Sequence, residues 1–286
     1  MSFLDRVNDC KAPDFSLYLP FVVDGEIVGY VKPNMAVELN DFQDTFTVTK
    51  NALGLNHNLQ GIEDRTHGVG EVMEALKQRG IVVGWRGEKY KVARTYSAPT
   101  VFEIERAAVP LFGTISCSVH MNGITWRNGE LCMWVGRRSL SKPTGPGKLD
   151  QMVAGGQPVG ISVKDNLIKE CAEEANIPAK IAALSKPVGA ITYCVEQVEG
   201  LRRDVLFIYD LVLPEGFEPE NTDGEMEDFC LMTMDELRSR VENTCDFKYN
   251  CAIVIIDFLI RHGHIKPSHK DYLKLINSLH DSNLLE

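Results

Sequence analysis

Apolar and polar positions set two rhythms along the chain. Leu17–Val23 and Glu26–Val31 are apolar-rich runs joined by Asp24-Gly25, a pair that tolerates the left-handed backbone of a tight turn. Two paired strands are therefore predicted, the second ended by Pro33. Thr45–Thr49 reads as another strand and Val69–Lys77 as a short helix closed near Gly80. Ile81–Trp85 and Tyr90–Val92, flanking Arg86-Gly87-Glu88, are expected to form a second hairpin. These elements make a small α+β domain over residues 1–110, running out through Thr100–Ala108.

From Phe112-Gly113 the runs lengthen, and residues 111–286 are expected to form a second domain. Ser116–Trp126 and Glu130–Arg137 are strand-like around Arg127-Asn128-Gly129, and the Pro- and Gly-rich stretch from Ser139 to Gln151 is too irregular for a regular element. Val163–Asn176 has helical spacing, with Ile168, Cys171, Ala172 and Ala175 on its apolar face. Ser162 suits the N-cap, Asn176 the left-handed position past the end, and Pro178 blocks continuation. Strands are predicted at Val188–Val195, Val205–Leu213 and Phe229–Met232, and helices at Met234–Val241, Tyr249–Arg261 and Lys270–His280.

Composition narrows the function classes. The 286 residues carry 30 Lys and Arg against 40 Asp and Glu, a net charge of -10, and the only basic dipeptides are Arg137-Arg138 and Arg202-Arg203. A nucleic-acid or membrane-surface partner is not expected from such a balance. The apolar run Ala252–Ile260 is interrupted by Asp257 and falls well short of the ~20 residues a spanning helix needs. The 8 cysteines are scattered, with no C-x-x-C pair, and the first residues lack a signal-like apolar stretch. Reduced thiols in the cytoplasm are the expectation, and zinc is not.

The chemistry concentrates after Gly155-Gly156. Glu170, Glu173 and Glu174 stand at i, i+3 and i+4, so a helix aims all three carboxylates to one side. Hard oxygen donors on a fixed face suit Mg²⁺ or Mn²⁺, although a solvated acidic face has the same pattern. Gly155 precedes Glu170 by 15 residues. That spacing, followed by E-x-x-E-E, resembles the box of the Nudix hydrolases, G-x5-E-x7-R-E-U-x-E-E-x-G-U with U a bulky apolar residue. Three positions depart from it: Ile161 for the first Glu, Lys169 for the Arg and Asn176 for the last Gly.

The resemblance implies an α/β sandwich, with a mixed sheet between helices, preceded by the small α+β domain as a cleft wall or dimer element. It implies hydrolysis of a diphosphate linked to another group, with Mg²⁺ (or Mn²⁺) held by Glu170, Glu173, Glu174 and the main-chain carbonyl of Ala154. Glu225, in Asp223-Gly224-Glu225, is the expected downstream ligand or base. Arg137, Lys142 and Lys148 are candidate phosphate contacts, Gly156 a substrate-binding position, and Asp150 a partner for a pyrimidine amine or a loop anchor. His120 on an apolar strand reads as a core histidine.

A second resemblance covers nearly the whole chain. Phe21 to Pro33, Val119–Gly123, Lys142-Pro143 with Pro146 to Asp150, Val153 to Pro158, Arg203-Asp204-Val205 and Asp223-Gly224-Glu225 recur together in a Nudix subgroup. That subgroup is related to the Nudix part of fungal thiamine pyrophosphokinases. It implies a small-molecule organic diphosphate as substrate: thiamine diphosphate or its damaged oxo and oxy analogues, cleaved to the monophosphate and phosphate. The alternatives are a nucleoside-diphosphate-sugar or ADP-ribose hydrolase, and a ligand-binding module in which Ile161 and Lys169 mark lost catalysis. A homodimer is compatible with either.

Overall fold

The structure is a computed structural model and describes residues 1–142 and 144–281. The chain opens with a helix, α1 (Phe3–Asn8), closed by a capping box in which Ser2 accepts from the Asp5 N–H and Asp5 from the Ser2 N–H. Then come β1 (Leu19–Val23), β2 (Glu26–Val31), α2 (Pro33–Leu39), β3 (Phe46–Val48), β4 (Leu53–Leu55), α3 (Gly61–Gln78), β5 (Lys89–Val92), β6 (Phe102–Glu105) and α4 (Val109–Phe112). The β1–β2 turn is a two-residue loop with Asp24 at φ 54° and Gly25 at φ 83°, as its sequence predicts. These strands form a sheet in the order β2-β1-β4-β3 and a separate pair β5-β6. Phe21 packs against Phe46, Phe102 and Phe112 at the centre of this core.

Two expectations for this part are corrected. Ile81–Trp85 is not a strand: β5 pairs antiparallel with β6. Gly80, Gly84 and Gly87 all take positive φ, so the backbone between α3 and β5 keeps bending and cannot lie flat as an edge. The helix expected at Val69–Lys77 begins eight residues earlier, at Gly61. Its first turns lack apolar periodicity, but Glu63 and Asp64 suit the positive end of the helix and Thr66 accepts a hydrogen bond from the Glu103 amide at 2.9 Å.

The remaining elements are β7 (Ile115–Arg127), β8 (Glu130–Arg138), β9 (Leu149–Gln151), β10 (Val153–Gly156), α5 (Val163–Ala175), α6 (Ala179–Ala182), β11 (Lys186–Gln197), β12 (Gly200–Val212), β13 (Met226–Thr233), α7 (Met234–Asn243), α8 (Tyr249–Arg261) and α9 (Tyr272–Leu279). The sheet runs β11-β12-β7-β8-β13, with β10 on β7 and β9 on β8, and it is mixed because β12 and β7 are parallel. Along β7 the partner changes: residues 118–121 pair with β10 and residues 123–127 with β8. On one face α5 packs through Leu167, Cys171 and Ala175 against Val119, Met121 and Val153. On the other lie α7, α8 and α9, with α8 buried from Asn250 to Leu259. The architecture is an α/β/α sandwich behind an N-terminal α+β domain.

α1 joins the second core, not the first. Phe3, Val7 and Cys10 are buried with residues of α7, α8 and α9. Between the two cores the chain is tightly fitted: a methyl carbon on Gly29 would fall 2.3 Å from the Phe112 carbonyl oxygen, and one on Gly200 would fall 2.1 Å from that of Pro110. Among the described residues no helix is long and apolar enough to cross a membrane.

Candidate metal and catalytic site

α5 begins where the sequence predicts, with the Ser162 hydroxyl accepting from the Asp165 amide, and ends with Asn176 at φ 51°. Its apolar face is anchored on β7 and β10, which turns the acidic edge towards the end of β10 and the loop before β13. Gly155 makes the approach possible. A methyl carbon there would fall 2.1 Å from the Glu170 carboxyl carbon, so the bare glycine lets that carboxylate lie directly on the strand. Asn166, fully buried, locks the same corner by donating to the Gly156 carbonyl at 2.8 Å.

Glu174 is the most enclosed of the three helix acids, 2% exposed, and its carboxylate accepts from the Ala154 N–H at 2.7 Å. Burial drives its pKa well above the ordinary carboxylate range. Glu174, Asp223 and Glu225 bring carboxylate oxygens within 4.8 Å of one another. The loop carrying the last two is wired in place. The Asn221 side-chain oxygen accepts from the Gly224 amide at 3.0 Å, Asp223 accepts from the Glu225 amide at 2.8 Å, and the Thr222 hydroxyl donates to the Glu173 carbonyl at the end of α5. Burial also raises Asp223. At Glu225 burial acts upward, but the ion pair with Lys142 outweighs it and the net shift is downward.

Hard oxygen donors this close repel one another unless a cation sits among them, and the buried Glu174 is costly to ionise alone. The donor set therefore fits Mg²⁺ or Mn²⁺, with Glu174, Asp223 and Glu225 as its carboxylates. When bound, such an ion would neutralise phosphate charge and lower the pKa of a coordinated water.

The expected site residues separate into those brought here and those not. Glu170 lies beside the trio, its pKa raised by burial against the opposing pull of Lys169. Glu173 is outside it: the side chain is about half exposed and held by the Lys169 ammonium at 2.8 Å, because residue 173 sits round the helix from 170 and 174. Ala154 meets the cluster through its N–H, which donates to Glu174. Lys142 reaches the site, paired to Glu225. Lys148 does not, since its ammonium is taken by the Cys245 carbonyl at 2.5 Å. Arg137 is engaged by the Gly147 carbonyl at 3.3 Å and by Asp228 at 3.5 Å.

Asp150 is enclosed by protein groups. It is 0% exposed, bridges to Arg138 at 2.7 Å and accepts from the Gln151 amide at 2.8 Å and from the Cys251 thiol at 2.6 Å. Burial acts to raise it, and Lys248 and Arg138 overcome this, holding its pKa down at about 2. The loop-anchor reading is the one its surroundings fit. His120 is a core histidine, buried, with Nδ1 2.9 Å from the Gln151 side-chain oxygen. Pro143 lies outside the described residues.

Sequence reasoning missed two contributions. Asp223 was legible only as part of an acidic loop, because what makes it a donor is the approach of that loop to α5. The N-terminal domain also reaches the site. A methyl carbon on Gly156 would fall 1.6 Å from the Tyr90 hydroxyl and 3.3 Å from the Arg106 guanidinium carbon. The Val159 amide donates to the Lys89 carbonyl at 3.0 Å, stitching the loop after β10 to β5. Between the two parts is a cleft of about 590 Å³ walled by Tyr90, Tyr96 and Glu103 on one side and by Ser116, Gln157 and Ile161 on the other. Ile161, standing where the box has its first Glu, is thus a wall of that cleft.

Comparisons with known proteins give the family. Over 97% of its length the chain is 44% identical to Nudix hydrolase 20, chloroplastic, from Arabidopsis thaliana, covering 77% of that protein. It is 43% identical to Nudix hydrolase 24, chloroplastic, from the same plant, over 98% of this chain and 78% of that one. Residues 2–116 match a family model described as a domain of unknown function, DUF4743. Among solved structures, the NUDIX domain of Shewanella oneidensis NrtR, complexed with ADP ribose, aligns with TM-score 0.40 and 11% identity over 52% of this chain and 90% of that one. The two plant relatives, each more than 40% identical over nearly the whole chain, are hydrolases. The chain belongs to the Nudix hydrolase family, and Ile161 and Lys169 are variations within an enzyme.

Proposed function

We propose that the protein is a divalent-metal-dependent pyrophosphohydrolase that cleaves a small organic diphosphate, with Glu174, Asp223 and Glu225 as the metal carboxylates. The close approach of those three groups, with the buried Glu174 among them, is the observation on which this rests. Glu170, laid against Gly155 beside them, would accept a proton from an attacking water, and Ala154 N–H holds Glu174. The organic group would occupy the cleft between the two parts, whose size falls in the usual range for small-molecule sites, ~300–1,000 Å³. Residues 1–110 would then serve as a wall of the active site, and residues 111–286 as the catalytic domain.

Thiamine diphosphate or an oxo or oxy analogue is the substrate we put first, on the sequence resemblance alone; ADP-ribose is its rival. The free cysteines suit a reducing compartment such as the cytoplasm, while both plant relatives are named as chloroplastic. The test is phosphate release from oxythiamine diphosphate and AMP release from ADP-ribose, side by side in Mg²⁺ and in chelator. Faster, chelator-sensitive turnover of oxythiamine diphosphate supports the first choice. Preference for ADP-ribose replaces it, and turnover untouched by chelator removes the metal reading.

A further inference from the structure

We infer that the N-terminal domain supplies the substrate's phosphate-binding cation, Arg106, with Arg86 beside it; this rests on the diphosphate reading above. A diphosphate brought to a cluster of carboxylates needs positive groups with donors to spare, and guanidinium is the group best shaped for phosphate oxygens. Four cations of the second domain are committed. Lys142 is bound to Glu225, Lys169 to Glu170 and Glu173, Lys148 to the Cys245 carbonyl, and Arg137 to Gly147 and Asp228.

Arg106 differs. It follows β6 and hangs over Gly156, its guanidinium carbon within 3.3 Å of where a methyl group would stand. Glu88 takes one nitrogen, Nη1, at 2.9 Å. Among the described residues neither Nε nor Nη2 has a hydrogen-bond partner, and the side chain is 40% exposed. The guanidinium lies close enough to Glu170 and Glu225 to act on both carboxylates electrostatically, and Arg86 acts likewise on Glu225. Arg106 therefore stands against the end of β10, beside these carboxylates.

Their backbones are held as a unit. Glu105, buried, accepts from the amides of Arg86 at 2.9 Å, Gly87 at 3.1 Å and Ala107 at 3.1 Å, so one carboxylate ties the turn carrying Arg86 to the turn carrying Arg106. Tyr90, its hydroxyl seated against Gly156, supports the guanidinium from its ring face at 5.8 Å. A pre-set cation of this kind loses little freedom when it takes a phosphate.

The experiment is calorimetric titration of the full chain with inorganic pyrophosphate in Mg²⁺ buffer, alongside Mn²⁺ binding by electron paramagnetic resonance. Arg106→Ala should bind pyrophosphate ~10- to 100-fold more weakly, the usual loss for a hydrogen bond to a charged group, and still bind Mn²⁺ as the wild type does. Arg106→Gln, which can still donate to Glu88, should show the same loss, so a folding defect in the alanine variant does not decide the matter; Arg106→Lys should regain part of the affinity. Pyrophosphate binding in Arg106→Gln equal to wild type overturns the inference and leaves the diphosphate reading standing. A wild-type protein that neither binds pyrophosphate nor turns over any diphosphate overturns the underlying reading as well.

Discussion

Gly155 and Glu170 occupy one another's space: the strand residue has no side chain, and the helix carboxyl carbon lies 2.1 Å from where its methyl group would be. Neither backbone can yield easily, since β10 is paired to β7 and α5 is packed on both. Gly155→Ala is therefore expected to swing the Glu170 carboxylate off the strand while leaving the sandwich folded. Displacements near 1 Å can reduce turnover by ~10²-fold. Steady-state kinetics with a melting curve checks this; full activity with an unchanged melting temperature would show that Glu170 need not lie there.

Glu174→Gln separates catalysis from stability. The amide keeps an oxygen for the Ala154 N–H but cannot ionise, so turnover should fall by orders of magnitude. In chelator, stability should move the other way. A carboxyl whose folded pKa is raised weakens the fold progressively as pH rises above its unfolded value, and the glutamine removes that penalty. Thermal melts across pH in chelator should show the variant gaining on the wild type as pH rises, and parallel curves would contradict the burial argument.

Asp150 behaves in the opposite sense. Its folded pKa of about 2 lies below the unfolded value of ~3.9, so its stabilisation, on the order of 2 kcal/mol, is present above pH ~4 and lost as pH falls through about 2. Asp150→Asn should flatten the acid limb of the stability curve. By leaving Arg138 buried without its anion, it should also destabilise the protein at neutral pH by ~3–5 kcal/mol. Urea melts at several pH values measure both effects. A change in KM with stability intact would return Asp150 to the role of substrate contact.

Phe3→Ala tests the attachment of α1. The ring is 1% exposed and packs edge-on to His269 at 5.7 Å, so its loss should lower stability by ~3 kcal/mol. Chemical denaturation reports it. An unchanged midpoint would mean that α1 is an ornament on the second core.

The catalytic helix was legible because its information is local. Ser162 and Asn176 cap the helix where the sequence puts them, and the spacing of Glu170 and Glu174 acts within a single turn. Glu173 lies round the helix against Lys169, since helix spacing cannot tell which edge a neighbouring loop will approach. Asp223 as a donor, Arg106 as a neighbour and Asp150 as a buried anchor depend on contacts made across long stretches of chain. The β5–β6 pair escaped notice because an apolar run, Ile81–Trp85, imitated a strand where successive glycines bend the backbone.

The chain is fastened into the sandwich twice, at Phe3–Cys10 and again from Ile115 onward, and the intervening fold is strung between those points. A domain carried on a single linker swings; a bridge moored on both banks does not. Tyr90 and Arg106, set against Gly156, thus belong to a stretch of chain anchored at both of its ends.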